Sequence, residues 1–169
     1  MDKSQLHAGL AAYLAEHYRP RVLEASVRYA AMPTCAPMAA RPTLGSAPEL
    51  GEWLKKEDAG FSETLLALIS KSGKTDSQIY SRANLTRQHF SKIRSNRAYR
   101  PTKPTALALA VALELDLDQT RDLIGRAGYA LTHSSKFDLI VMYFIEQGCY
   151  ELGIINEALY EYDQRLLGA

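Results

Sequence analysis

Arg87, Gln88, Ser91 and Lys92 are spaced so that a helix through them carries all four on one face. Their chemistry is that of hydrogen-bond donors. Arg and Lys offer charged N–H groups to phosphate oxygens or to the acceptors of guanine, and Gln offers an amide suited to adenine. Ser91 adds a hydroxyl. The surroundings reinforce the charge: between Lys71 and Lys103 the basic residues are Lys71, Lys74, Arg82, Arg87, Lys92, Arg94, Arg97, Arg100 and Lys103, opposed only by Asp76. From Pro104 onward acidic residues outnumber basic ones, so a net charge of +1 hides an asymmetry. Such polarity suits a protein that sets one end on a polyanion, with an ordinary solvated face as the alternative.

Catalysis finds little support in the same residues. The chain has no GxSxG elbow, no Walker loop, no HExxH and no Cys/His pairing with a plausible third member. No enzyme activity and no cofactor are expected. His89 has no Cys, His or carboxylate at zinc-ligand spacing nearby, so a structural or exposed role is expected for it. Tyr99, between Arg97 and Arg100, is expected to pack within its loop.

The elements that must position the donors lie in Thr75–Asn96, TDSQIYSRANLTRQHFSKIRSN. Thr75 with Gln78 has the form of a capping box, and Thr86 can cap a second helix. Ile79, Ala83, Leu85, Phe90 and Ile93 are spaced to lock two crossed helices over a shared core. A helix, a tight turn and a second helix with a polar, basic outer face is the unit that places a recognition helix in a DNA major groove.

This stretch resembles the helix-turn-helix of the phage-repressor-like (Cro/XRE) family, with Thr75, Ile79, Leu85, Thr86, Phe90, Ser91 and Ile93 on matching positions without a gap. The downstream RPTKPTALALAVALELDLDQ also looks like that family, and the likeness spans Phe61 to Tyr129. It implies a five-helix bundle in which helix 86–95 reads DNA. Thr86 would cap that helix and touch a phosphate, and Arg87, Gln88 and Lys92 would face base edges. Arg94, Arg97, Arg100 and Lys103 would hold the backbone without reading sequence. The sequence departs from the pattern at Asp76, a carboxylate where a phosphate anchor is usual, at Tyr80, bulky at the helix crossing, and at Asn84, which replaces the turn Gly. Asn tolerates left-handed backbone, so the turn is expected to survive. Arg94 stands where the family usually has Glu, adding positive charge and removing an intramolecular ion pair.

A second, longer resemblance runs from Phe61 to the C-terminus, including SSKFDLIVMYFIEQG and INEALYEYDQRLLG. There the chain is similar to a bacterial module found C-terminal to some macro-domain (ADP-ribose-binding) proteins and in small stand-alone proteins. No macro domain is present, so this resemblance suggests context, not activity.

The remaining sequence bounds the architecture. At 169 residues the chain fits one domain, or one domain plus an arm. Cys35 and Cys149 make neither a disulfide framework nor a metal site. Nothing at the N-terminus resembles a signal peptide, and no run approaches the ~18 apolar residues that span a bilayer, so a cytoplasmic protein without a membrane is expected.

An all-α fold is expected in three parts. Residues 1–60 hold an N-terminal helix on Leu6, Leu10, Tyr13 and Leu14, an ambiguous stretch at Val22–Ala30, a Pro/Ala-rich arm or linker at Met32–Pro48, and a short helix carrying Trp53. Residues 61–130 hold the helix-turn-helix bundle. Residues 131–169 add two helices, one on Phe137, Ile140, Val141, Phe144 and Ile145, the other on Ile155, Ala158, Leu159, Tyr162 and Leu166. These helices either finish the same core or expose a seam for a second chain.

The expected function is sequence-specific binding of double-stranded DNA by a transcriptional regulator, acting as a homodimer on two half-sites. A helical adaptor for protein partners in a bacterial stress or defence system, docking through the C-terminal helices, is the alternative, and RNA binding is a third.

Overall fold

Side-chain oxygens set where the helices begin. Thr75, Thr86, Thr102, Asp116 and Ser135 each accept a hydrogen bond from the backbone N–H three residues on. Each satisfies a donor that the first turn of a helix leaves unpaired. At Thr75 and Asp116 the third residue, Gln78 or Gln119, bonds back to the cap's own N–H and completes a capping box, at Thr75 the expected one. A computed structural model of the chain describes residues 3–20 and 59–168. Among these it is all-helical: α1 (Lys3–His17), α2 (Phe61–Ser72), α3 (Asp76–Arg82), α4 (Arg87–Ser95), α5 (Lys103–Ala112), α6 (Leu117–Arg126), α7 (Lys136–Glu146) and α8 (Leu152–Glu161). The expectations for Val22–Ala30, the Pro-rich arm with Cys35, and the Trp53 helix fall outside the described residues.

Two helices form the centre. Thr105 to Ala112 of α5 and Asp138 to Ile145 of α7 are all buried. Their sequences, TALALAVA and DLIVMYFI, leave no polar face, and a helix apolar all round must be enclosed by others. α5 packs against α3, α6 and α8, while α7 packs against α1, α6 and α8. α2 completes the bundle against α4 and α6. The two C-terminal helices therefore finish the core of the five-helix bundle. The N-terminal helix joins the same unit: Tyr143 donates its hydroxyl to the Leu6 carbonyl at 3.1 Å, and its ring lies 5.2 Å from that of Tyr13. Residues 3–20 and 59–168 thus belong to one compact unit, with no domain boundary at 130/131.

The last helix ends earlier than its apolar stripe suggests. Asp163 adopts φ 52, and the Gln164 N–H bonds the Leu159 carbonyl at 2.8 Å, closing α8. This left-handed turn breaks the helical period and shifts the register. Leu166, expected in the core, is 42% exposed, and Leu167 is buried in its place. The Asn156 amide brackets Leu167, accepting from its N–H at 2.8 Å and donating to its carbonyl at 3.2 Å. Gly168, at φ 74, then passes so close to Ala83 that any side chain would collide with the Ala83 carbonyl oxygen. The C-terminal tail is thereby laid against the turn between α3 and α4.

Candidate nucleic-acid interface

The α3–turn–α4 unit is locked from beneath. Ile79, Ala83, Leu85, Phe90 and Ile93 are all buried, as their spacing predicts. Asn84 takes φ 53, supplying the left-handed residue where a Gly is usual, and the Leu85 N–H bonds the Tyr80 carbonyl at 2.8 Å. The Tyr80 ring lies over Phe90 with centroids 5.9 Å apart. With Phe90 and Ile93 committed to the core, the helical period turns Arg87, Gln88, Ser91 and Lys92 outward, and all four are exposed. The Thr86 hydroxyl accepts from the His89 N–H at 3.2 Å, so its oxygen caps α4.

The loop after α4 is held at both ends of its turn. The His89 Nε2 lies 2.7 Å from the Tyr99 hydroxyl, giving both residues the structural role expected of them. Asn96 accepts from the Ala98 N–H through its side chain at 3.0 Å, and its carbonyl accepts from the Ser62 hydroxyl at 3.1 Å. On this fixed backbone Arg97 and Arg100 are exposed.

The basic residues sort into two groups that the sequence does not distinguish. Arg87, Lys92, Arg97, Arg100 and Lys71 have no ion-pair partner among the described residues. The others are taken up by carboxylates. The Glu114 carboxylate lies 3.1 Å from the Lys74 ammonium and 2.6 Å from the Arg82 guanidinium. Hydrogen bonds from Lys74 and then Arg82 hold its pKa below the ordinary glutamate value.

These pairings occupy two of the expected site residues. Lys103 is tied into the protein: its ammonium is 2.5 Å from Asp138 Oδ1 and donates to the Ala130 carbonyl at 2.8 Å. Asp138 is 1% exposed, and its second oxygen accepts from the Thr132 N–H and hydroxyl. A carboxylate buried so deeply needs a counter-charge, and Lys103 supplies it. Arg94 is not released from intramolecular pairing by the loss of the usual Glu. It pairs with Asp76, so the two departures from the family pattern meet each other.

Asp76, Ser77, Tyr80, Arg87, Phe90, Ser91 and Arg94 line a groove of about 410 Å³ between α3 and α4. Arg87, Ser91 and Arg94 in its lining are expected contact residues. Glu114, Asp138 and the Asn156–Gly168 brace were not singled out from sequence. A lone carboxylate in the apolar run FDLIVMYF was the readable signal for a buried pair at Asp138. No comparable signal marks Glu114 or Gly168.

Among the described residues, no helix is long and apolar enough to cross a membrane, and no cluster of three or more His, Cys, Asp or Glu residues could hold a metal ion. Comparison with protein-family models, with curated proteins and with solved structures gives no match. The functional reading therefore rests on the site itself.

Proposed function

We propose that the chain is a cytoplasmic, sequence-specific binder of double-stranded DNA, a transcriptional regulator that presents α4 to the major groove. The observation that carries this reading is the distribution of unpaired donors. Arg87, Gln88, Ser91 and Lys92 on α4, with Arg97 and Arg100 on the loop it leads into, are exposed and free of ion pairs among the described residues, while neighbouring cations are consumed internally. Arg87 and Lys92 suit guanine acceptors and Gln88 suits adenine, with Ser91 beside them able to bond either base or phosphate. Arg97, Arg100 and the Thr86 end of α4 serve the backbone. Two copies related by a two-fold axis would read half-sites one DNA turn apart, about 34 Å. That expectation is checked by sedimentation of the free protein and of its complex.

The test is binding of the purified protein to labelled genomic fragments, its own promoter region included, across a salt series. Arg87→Ala and Lys92→Ala are run beside the wild type. Selective binding is expected that weakens steeply with salt, and each variant should lose roughly 5- to 150-fold on the selected fragment, about 1–3 kcal/mol, with relaxed selectivity. Equal binding by all three, and only at low salt, would leave a generic polyanion surface.

In that event a second reading leads, a protein-interaction adaptor in a bacterial stress or defence system. The observation favouring it is Tyr160, 77% exposed, and Leu166, 42% exposed, beside the acidic Glu157, Glu161 and Asp163 at the C-terminal end. Loss of a captured partner on Tyr160→Ala would support it.

A further inference from the structure

We infer that Asp76 is an internal stand-in for a DNA phosphate, holding Arg94 in a latch that opens when the protein engages DNA. The inference rests on the DNA-binding reading of the same face and deepens it. Asp76 is the only carboxylate between Lys71 and Lys103, and it lies in the first turn of α3. Arg94 lies in the last turn of α4, and the pair closes across the groove that Ser77, Tyr80, Arg87 and Ser91 also line.

Stability gives the pair little reason to exist. Arg94 is 62% exposed and Asp76 35%, and exposed pairs contribute little because water and salt screen them. The helix crossing is already fixed by the buried Ile79, Ala83, Leu85, Phe90 and Ile93. What the pair does control is charge on the contact face. With the latch closed, the Arg94 guanidinium is occupied and a carboxylate stands among the groups that approach DNA. A phosphate oxygen accepts from a guanidinium N–H as a carboxylate oxygen does, so Arg94 can exchange one for the other. The latch therefore lowers the phosphate part of the affinity, which is blind to sequence, and leaves the base-facing donors Arg87, Gln88 and Lys92 untouched.

The experiment measures binding of full-length wild type, Asp76→Asn, Arg94→Ala and the double variant to a selected fragment and to an unrelated one, each across a salt series. Asn is nearly isosteric with Asp, and thermal unfolding of each variant checks that the fold is kept. Asp76→Asn is expected to tighten binding to both fragments alike, roughly 3- to 10-fold near 0.1 M salt. Its logarithmic salt dependence should steepen by about one unit, the signature of one added phosphate contact. Both gains should vanish in the double variant. If the whole gain survived without Arg94, Asp76 would merely repel DNA and the latch would be overturned. If Asp76→Asn bound no tighter while wild type still depended on Arg87 and Lys92, the latch would fail and the DNA reading would stand. Binding by Asp76→Asn alone, with the wild type inert, would support the latch and sink the wild type as a competent regulator. No binding by any of the proteins would dispose of both.

Discussion

Arg97 and Lys103 belong to the same short basic run, yet one is exposed with no ion-pair partner among the described residues and the other has its ammonium 2.5 Å from a buried carboxylate. The same contrast divides the whole segment. Arg87, Lys92, Arg97 and Arg100 on α4 and the loop it leads into have no ion-pair partner among the described residues, whereas Lys74, Arg82 and Lys103 are tied to Glu114 or Asp138 from later in the chain. The difference teaches that a cation's role is set by where the opposing carboxylate comes from. A charge count along the sequence finds one acid among nine bases. The fold brings in two more and removes three bases from the unpaired set.

Breaking this comparison at its most buried point has the largest expected effect. Lys103→Ala leaves the Asp138 carboxylate, 1% exposed, without its counter-charge. A loss of roughly 3 kcal/mol of unfolding free energy is expected in denaturant titration. Lys103→Met combined with Asp138→Leu should recover only part of it, because the apolar pair needs no counter-charge but the Thr132 N–H and hydroxyl lose their acceptor. Arg87→Ala, by contrast, should stay within about 0.5 kcal/mol of wild type while losing its ligand. Wild-type stability in Lys103→Ala would return Lys103 to the free cations and widen the candidate interface.

The next effect concerns the scaffold behind the free set. Gly168→Ala imposes a Cβ on a residue at φ 74 that faces the Ala83 carbonyl, so the tail must lift from the turn. Lifting it exposes Leu167, and a loss of about 2 kcal/mol is expected from that buried leucine. Unchanged thermal unfolding would mean that the tail does not brace the turn in solution.

How much of this was readable follows from the range of each interaction. The starts of α3 and α4 were legible because Thr75 with Gln78, and Thr86 with His89, act over three residues. The helix-turn-helix core was legible because Phe90 and Ile93 must face one way if Arg87 and Lys92 face the other. Contacts between distant segments left weaker traces. The Asp76–Arg94 pair joins two residues that each look like an isolated departure, and only the crossing of α3 and α4 brings them together. Lys103 and Asp138 meet because α5 and α7 both begin at the same end of the core, which their own sequences do not specify. Leu166 was misread because a helical stripe extrapolates smoothly, whereas a left-handed Asp163 ends the helix with no Gly to mark it.

The smallest effect sharpens the comparison at its boundary, where Glu114 holds Lys74 and Arg82. Hydrogen bonds from Lys74 and then Arg82 depress its pKa from the ordinary 4.5, which means the folded state favours the charged carboxylate. A depressed folded pKa contributes stability that is present above the unfolded value and is lost as pH falls through the folded one. Wild type should therefore lose stability below about pH 4.5 more steeply than Glu114→Gln, and the gap between them should close in acid. With its side chain 44% exposed, Glu114 is screened by water, so the gap should be smaller than for Gly168→Ala and shrink further in high salt. A gap independent of pH would mean that Glu114 does not hold its two partners in solution. Lys74 and Arg82 would then join Arg87 and Lys92 as cations available to a polyanion, and the division between structural and contact charges would have to be redrawn around Asp138 alone.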